Sequence, residues 1–258
     1  MYMRVQSQLP GGIVYPELAG NRVLITGLRP TLGVDIARAL ADHGARLALH
    51  TPEMTQDMAE LIAFLAQTAD QTKHFDSPLT HPDDAVKFAQ GPAIQAFGGL
   101  DLAINLIAFS ADEIANRTNQ DDIEDLVATK LAVPVLLGRV LANRMRLTLA
   151  PGLLLNIVTL PAATDGRSGA LNGLVRAALA NLTRGEATQW AEHGIRINAV
   201  GPPDSGLVPQ SHSPRDHVCE ADIAALALYL ASEKAQGLSG HVFDPQGLAA
   251  GGLEAAYI

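Results

Sequence analysis

The sequence predicts an α/β protein built on one doubly wound, mostly parallel sheet of seven strands with helices on both faces. Short apolar runs alternate with longer helical patterns from about residue 22 onward, which is the order that repeated strand–helix units produce. The 258 residues are 48% hydrophobic and 17% charged, which favours a single well-cored domain over residues 1–258. Residues 1–20 are expected to form an N-terminal extension of that domain.

The strands are predicted from short apolar runs, and the helices from the longer patterned segments between them. Strands are expected at residues 22–26, 46–50, 73–75, 101–107, 153–159, 196–200 and 241–244. Helices are expected at residues 34–43, 54–69, 82–97, 121–147, 170–193 and 221–230. Residues 201–218 are rich in proline, serine and histidine and are predicted to form a loop.

Charge and cysteine content exclude several classes of function. The 18 Lys+Arg and 27 Asp+Glu give a net charge of −9 with no basic block, so we expect no nucleic-acid partner. Cys219 is the single cysteine and no Cys/His spacing resembles a zinc site, so we expect no metal. No segment has the apolar length of a signal peptide or a membrane span, and the expected location is a reducing cytoplasm.

A glycine turn joins the first strand to the first helix in RVLITGLRPTLGVDIARAL. Gly27 and Gly33 open a helix whose N-terminal N–H groups could receive a pyrophosphate, although two glycines also suit a plain strand–helix turn. The loop TGLRPTLG resembles the TGxxxGxG loop of the short-chain dehydrogenases/reductases, which have a Rossmann-type fold. Thr31 stands at that family's middle glycine, where its side chain obstructs the phosphates, and Pro30 supplies no N–H donor.

The same resemblance implies a site for NADP or NAD whose binding is weak or lost. Asp76 matches the family's adenine-contacting Asp, and Asn105 is the first residue of its NNAG segment. Thr51 stands where an acidic residue would bind the ribose of NAD, so a preference for NAD has no support. Arg29 lies one position from the basic residue that family members using NADP often carry, but an exposed loop arginine is also simply solvated.

The segments GLLLNIVT, AALANLTRGEA and GIRINAVGP follow the family's pattern without gaps and fix the register of its catalytic residues. In this register the family's Asn, Ser, Tyr and Lys fall at Lys130, Thr159, Asn172 and Arg176. Asn172 has no proton to transfer in the working pH range, and Arg176 is permanently charged. Thr159 retains a hydroxyl that could orient a carbonyl group.

Other side chains are candidates for a functional role beside these four. Tyr229 lies in an apolar helix and is expected in the core, and Tyr257 is expected in a mobile tail. Leu207 replaces the threonine that holds the nicotinamide carboxamide in the family. Lys130 and Arg176 would suit an anionic ligand such as a carboxylate, a phosphate or an acyl-CoA headgroup, unless each pairs with an acidic neighbour, which is the favoured reading.

Five departures from the family, at Thr31, Lys130, Asn172, Arg176 and Leu207, predict a catalytically silent member that acts as a subunit or a ligand-binding partner. The resemblance implies a homo-oligomer, dimer or tetramer, or a hetero-oligomer with an active paralogue, formed through the helices at 121–147 and 170–193. The alternative is an active NAD(P)-dependent oxidoreductase that acts on a carbonyl or hydroxyl substrate with an atypical site. A sensor for an anionic small molecule is the third hypothesis.

Overall fold

The computed structural model describes residues 14–117, 119–161, 166–202 and 220–244. These residues contain one seven-stranded sheet in the order β3-β2-β1-β4-β5-β6-β7, and every pair of neighbouring strands is parallel. The strands are β1 Arg22–Thr26, β2 Arg46–His50, β3 Gln71–Phe75, β4 Leu102–Ala108, β5 Gly152–Thr159, β6 Ile195–Val200 and β7 Val242–Phe243. The predicted α/β class and parallel seven-stranded sheet are confirmed.

Helices connect these strands and cover both faces of the sheet. They are α1 Val34–Asp42, α2 Gln56–Leu65, α3 Pro82–Gln90, α4 Pro92–Gln95, α5 Ala111–Ala115, α6 Gln120–Leu147, α7 Gly166–Trp190 and α8 Glu220–Ala231. Short 3-10 turns lie at Pro16–Leu18, Ala191–His193 and Glu233–Ala235. The loop predicted at 201–218 lies almost wholly outside the described residues.

Two helical segments differ from the prediction for local reasons. The single helix expected at 82–97 is divided into α3 and α4, because Gly91 leaves helical geometry at φ −112° and ψ −99° and Pro92 has no N–H to continue the ladder. The segment before α6 contains the short helix α5, which was not predicted from the sequence. Ser110 and Glu113 close its first turn as a capping box.

Apolar side chains from the central strands enter the core on both faces of the sheet. Val23 and Ile25 pack beneath α1 and α8, whereas Leu24 between them packs beneath α3 and α6. This alternation explains why the strands read as continuous apolar runs. The last residues of the predicted N-terminal extension also join this core, with Tyr15 4% and Leu18 1% exposed.

The strand order places a crevice at one edge of the sheet. β1 pairs with β2 on one side and with β4 on the other, so the connections that leave β1 and β4 diverge to opposite faces. Ligands of doubly wound sheets bind at this switch point, beyond the carboxyl ends of the strands. Within the described ranges, no helix combines the length and the apolar character needed to cross a bilayer.

Candidate active site

A cavity of about 350 Å³ lies at this switch point. It is bounded by the glycine turn after β1, the end of β2, the segment after β3, the end of β4 and one side of α6. Its lining includes Gly27, Arg29, His50, Leu106, Lys130 and Pro134. Three residues predicted from the sequence to bind a ligand therefore border one cavity: Gly27, Arg29 and Lys130.

The two glycines of the turn are required by its packing against β4. Gly27 has φ +79° and Gly33 has φ +91°, which are values that L side chains rarely adopt. A Cβ atom at Gly27 would overlap the carbonyl oxygen of Leu106, and one at Gly33 would overlap the Leu106 side chain. Local geometry alone thus accounts for both glycines, whatever the turn binds.

The tip of the turn is closed on itself. The N–H of Arg29 donates to the carbonyl of Leu32 at 3.0 Å, and the N–H of Leu32 donates back to the carbonyl of Arg29 at 3.1 Å. Pro30 has no N–H, and the side chains of Arg29 and Thr31 are exposed at this tip. The N–H groups of Arg29 and Leu32 are therefore satisfied within the turn.

His50, at the end of β2, fastens the glycine turn to the segment after β3. Its Nδ1 accepts a hydrogen bond from the N–H of Gly27 at 3.2 Å, so its Nε2 carries the proton and donates to the carbonyl of Ser77 at 2.7 Å. Burial lowers the pKa of His50 below its ordinary value, and His74 adds to this effect, while the Ser77 carbonyl and Asp76 oppose it. His50 is therefore a neutral structural link.

The other predicted cofactor positions differ in their access to the cavity. Thr51 is 0% exposed, and its hydroxyl lies 2.8 Å from Nε2 of His74. Asn105 is buried, accepts a hydrogen bond from Thr26 at 2.9 Å and donates to Asn156 at 2.8 Å. Asp76 follows β3 and is exposed. The side chains of Thr51 and Asn105 are thus buried and bond within the protein, whereas the Asp76 side chain is accessible to a ligand.

The N-terminus of α1 faces a carboxyl group from a distant part of the chain. Glu220, the first residue of α8, lies near the start of α1, but its Oε1 is buried and makes no hydrogen bond within the described part of the chain. Burial raises the pKa of Glu220, and the charge of Asp35 raises it further, while the main-chain N–H groups at the start of α1 oppose this shift. A carboxyl group of the protein therefore lies near the helix start at which a pyrophosphate was expected.

Thr159 ends β5, and Lys130 of α6 reaches the end of the neighbouring strand β4. Nζ of Lys130 donates to the carbonyl of Ala108 at 3.1 Å, and Ala108 is the register partner of Thr159. Lys130 also pairs with Glu113 at 2.6 Å, which is the alternative that the sequence favoured. Burial raises the pKa of Glu113, but hydrogen bonds from Lys130 and Ser110 outweigh it and hold this pKa below its ordinary value.

Asn172 and Arg176 lie one turn apart on α7. Asn172 is buried, with 5% of its surface exposed. Nη1 of Arg176 donates to the carbonyl of Pro202 at 2.5 Å, which links α7 to the segment after β6. Leu207, expected near the nicotinamide, lies outside the described residues. Lys130, Thr159 and Arg176 thus lie at the carboxyl ends of β4, β5 and β6, and none of the four tetrad positions supplies a tyrosine or a carboxyl group.

Comparison with known proteins identifies the family of this chain. A family model described as Enoyl-(Acyl carrier protein) reductase matches residues 28–247. The chain belongs to the short-chain dehydrogenase/reductase superfamily. Within this superfamily, borneol dehydrogenase, mitochondrial, from Lavandula x intermedia is 29% identical over 245 residues, which cover 88% of this chain and 90% of that protein. The resemblance seen in the glycine turn and in the segment from Gly152 to Pro202 is therefore confirmed.

Solved structures of the superfamily share the fold. A hydroxysteroid dehydrogenase from Escherichia coli superposes with a TM-score of 0.70 at 20% identity, covering 89% of this chain and 97% of that one. An NADH-dependent reductase complexed with NAD superposes with a TM-score of 0.72 at 19% identity, covering 90% and 97%.

The superfamily binds NAD or NADP, but the residues of this chain do not fit the pyrophosphate of such a cofactor. The Glu220 carboxyl group lies at the start of α1, where the phosphates would need N–H donors and no negative charge. The N–H groups of Arg29 and Leu32 each donate to the carbonyl oxygen of the other residue. We therefore derive no reaction step through a dinucleotide.

Sequence reasoning missed three residues of this site. The pattern from Ser110 to Glu113 is a recognisable capping box and could have predicted α5, and with it a carboxylate near Lys130. His50 ends the second predicted strand and was given no role, although a histidine that ends an apolar strand beside a glycine turn is placed to bond to that turn. Glu220 gave no local signal, because its contact is with a helix far away in the chain.

Proposed function

We propose that this chain is a catalytically silent member of the short-chain dehydrogenase/reductase superfamily, with weak or lost NAD(P) binding, that acts as a subunit or ligand-binding partner. The observation that carries the proposal is the buried carboxamide of Asn172 at the position of the superfamily's proton-transferring tyrosine. A carboxamide does not exchange a proton with a substrate near neutral pH, so hydride transfer would have no acid or base at this point.

No other tyrosine in the described residues takes over this role. Tyr15 is buried beneath α1, with its ring centroid 6.1 Å from that of His43. Tyr229 packs against the same core from α8. Arg176 donates to the carbonyl of Pro202, and a guanidinium keeps its charge at any working pH. Thr159 and Arg176 can orient a ligand but do not exchange protons near neutral pH.

A turnover assay with the full chain tests the proposal. Purified protein is mixed with NADPH or NADH and a panel of ketones, aldehydes and 3-oxoacyl thioesters, and in the reverse direction with NADP or NAD and the matching alcohols. We expect no change in reduced nicotinamide above the enzyme-free rate, while an active superfamily member run in parallel turns over. Substrate-dependent consumption that scales with protein and is lost in Thr159→Ala would show that the chain is an enzyme.

A matched variant separates lost proton transfer from other causes. Asn172→Tyr combined with Arg176→Lys restores both residue types of the superfamily on the same face of α7. Turnover in this double variant and not in the native chain would assign the silence to these two positions. Folding of the variant is checked by thermal unfolding, because Asn172 is buried and a tyrosine there needs additional space.

The surface of α6 and α7 supports a role as a subunit. A groove between these helices is lined mainly by apolar side chains, of which Val135, Leu174 and Leu182 are partly exposed and Val127 and Leu131 are buried. Apolar surface of this kind marks protein interfaces. Light scattering of the purified chain is expected to give a dimer or a tetramer, whereas a monomer that becomes an oligomer only with an active paralogue would indicate a hetero-oligomer.

An active oxidoreductase with an atypical site is the second candidate. Thr159 favours it, because this half-exposed residue ends β5 and the Lys130 ammonium group lies at the end of the neighbouring strand β4. In that case Thr159 would orient a carbonyl and water would move the proton. The Thr159→Ala arm of the turnover assay separates this candidate from the first.

A further inference from the structure

The cavity at the switch point has mostly apolar walls. Its sides include Leu79, Ile107 and Val133, together with Pro52 and Pro78, which have no N–H to donate. The volume of about 350 Å³ lies within the range of small-molecule sites, whose walls are mainly apolar with a few polar groups that orient the ligand. The volume and the walls therefore suit a small organic molecule.

Two polar side chains of the lining are engaged within the protein. His50 uses both ring nitrogens, since Nδ1 accepts a hydrogen bond from the N–H of Gly27 and Nε2 donates to the carbonyl of Ser77. The hydroxyl of Thr26 donates to Asn105 at 2.9 Å. These donors are not available to a ligand, so the cavity has few groups that could recognise the edge of a base or a sugar.

The charged side chains of the lining are both cationic. Arg29 and Lys130 border the cavity, and no acidic residue does so among the described residues that line it, although the chain has a net charge of −9. Arg29 is exposed, and its guanidinium group makes no hydrogen bond or ion pair within the described ranges. Lys130 is already paired with Glu113 at 2.6 Å. Arg29 therefore has more of its charge available to a ligand than Lys130.

We propose that this cavity binds an amphipathic organic anion, whose apolar body packs against the walls while its carboxylate or sulfonate group meets Arg29 and, more weakly, Lys130. A guanidinium forms strong charge-assisted hydrogen bonds with such groups. The inference deepens the proposed role as a ligand-binding partner and rests on it. It needs no phosphate site at the glycine turn, where the N–H groups of Arg29 and Leu32 bond within the turn.

A nucleoside phosphate is the competing ligand, because it also combines a ring system with negative charge. Its base would need hydrogen-bonding partners at its edges, and the donors of His50 and Thr26 already bond within the protein. An amphipathic anion makes no such demand on the walls. ADP therefore serves as the probe that separates the two classes of ligand.

Binding of anilinonaphthalene sulfonate to the full chain tests the proposal, with phenylnaphthylamine as the matched probe that has the same ring system and no sulfonate. Calorimetric titration should show tighter binding of the sulfonate, and added salt should weaken the sulfonate alone. Arg29→Gln should weaken the sulfonate roughly tenfold and leave the neutral probe unchanged, because it removes a charge-assisted hydrogen bond. Lys130→Gln should cause a smaller loss, since Glu113 already neutralises part of that charge.

Two further variants locate the probe. Leu79→Trp adds bulk to the wall of the cavity and should weaken both probes. Arg38→Gln removes a partly exposed positive charge of α1 outside the cavity lining, and as the matched control it should leave both affinities unchanged. Thermal unfolding checks that each variant is folded.

Several results would overturn the proposal. They are equal affinities of the native chain for the two probes, no binding of either probe, and a loss with Arg38→Gln as large as that with Arg29→Gln. Sulfonate binding that a folded Leu79→Trp variant retains in full would place the probe elsewhere, for example on the apolar groove of α6 and α7, and would overturn it as well.

The ADP titration keeps this proposal distinct from the proposed function. ADP binding tighter than that of the sulfonate would assign the cavity to a nucleotide, and would overturn both this proposal and the proposed weak cofactor binding. Failure of the sulfonate to bind would leave the silent chemistry at Asn172 intact, because the turnover assay tests that chemistry separately.

Discussion

The interior of the sheet and its carboxyl edge both contain polar side chains with partners in the protein, but these side chains have different roles in the two regions. In the interior, Thr26, Asn105 and Asn156 form one chain of side-chain hydrogen bonds across β1, β4 and β5. At the edge, where the superfamily places its ligands, Glu220 faces α1 and Lys130 pairs with Glu113. The hydrogen bonds of the interior hold the strands together. At the edge, contacts within the protein engage groups that would otherwise bind a ligand.

This difference teaches that the fold and the site respond to separate constraints. The strands need apolar residues on both faces and tolerate many such sequences. The edge needs particular donors and charges in particular places, and a few substitutions suffice to redirect them inward. Experiments that weaken one region and leave the other intact therefore test the separation.

The largest effect is expected from a cavity in the interior. Leu155 lies in β5, is 0% exposed and belongs to the core cluster beneath α1 and α8. Leu155→Ala should lower the free energy of unfolding by about 2–5 kcal/mol, because the neighbouring strands relax only partly into the space. Urea unfolding followed by circular dichroism measures this change.

Leu147→Ala is the control for this substitution. Leu147 ends α6 and is 57% exposed, so the same change of residue should alter stability by no more than about 0.5 kcal/mol. Equal losses in the two variants would mean that the sheet interior does not carry the stability assigned to it.

An intermediate effect is expected from His50, which lies at the boundary of the two regions. His50→Phe leaves the N–H of Gly27 and the carbonyl of Ser77 without their partner, which should cost about 1–3 kcal/mol. The exposed His81, which makes no side-chain bond at its helix cap, provides the control variant His81→Gln.

The contribution of His50 should also depend on pH. Its pKa is lower in the folded chain than in the unfolded one, so the unfolded chain binds the proton more readily. The stabilisation is therefore complete above a pH of about 6.5 and is lost progressively as the pH falls below that value. His50→Phe should flatten this part of the stability profile, and a profile that matches the native one would exclude His50 as its source.

The sequence predicted the interior well, because its signals are local. The runs that became β1 and β2 were bounded correctly from their apolar residues and the glycine that follows each strand or helix. The break at Gly91 and Pro92 was also visible in the sequence, but the helical pattern on either side outweighed it. Boundaries of this kind depend on tertiary packing that one sequence does not show.

The residues at the carboxyl edge of the sheet were predicted only where they match a position of the family's motifs. Thr159 ends β5, Lys130 reaches the end of β4, and Arg176 bonds to the segment after β6. Their partners were not predicted, because Glu113 belongs to a short helix and Glu220 reaches α1 from α8. The packing of elements distant in the sequence determines which charge faces which donor. The hydrophobic periodicity of the sequence does not predict this packing.

The smallest effect is expected from the Lys130–Glu113 pair at the edge. The side chains are 25% and 38% exposed, so water and salt screen their attraction, and a double-mutant cycle of Lys130→Gln and Glu113→Gln should give a coupling below about 1 kcal/mol. The pKa of Glu113 is lowered in the folded chain, so this stabilisation is present above its ordinary value of 4.5 and disappears as the pH falls through the folded value. Unfolding in urea at neutral and acidic pH, with and without added salt, measures the coupling. A large coupling that salt does not reduce would mean that this edge contributes to stability as the interior does, and the separation between the two regions would fail there.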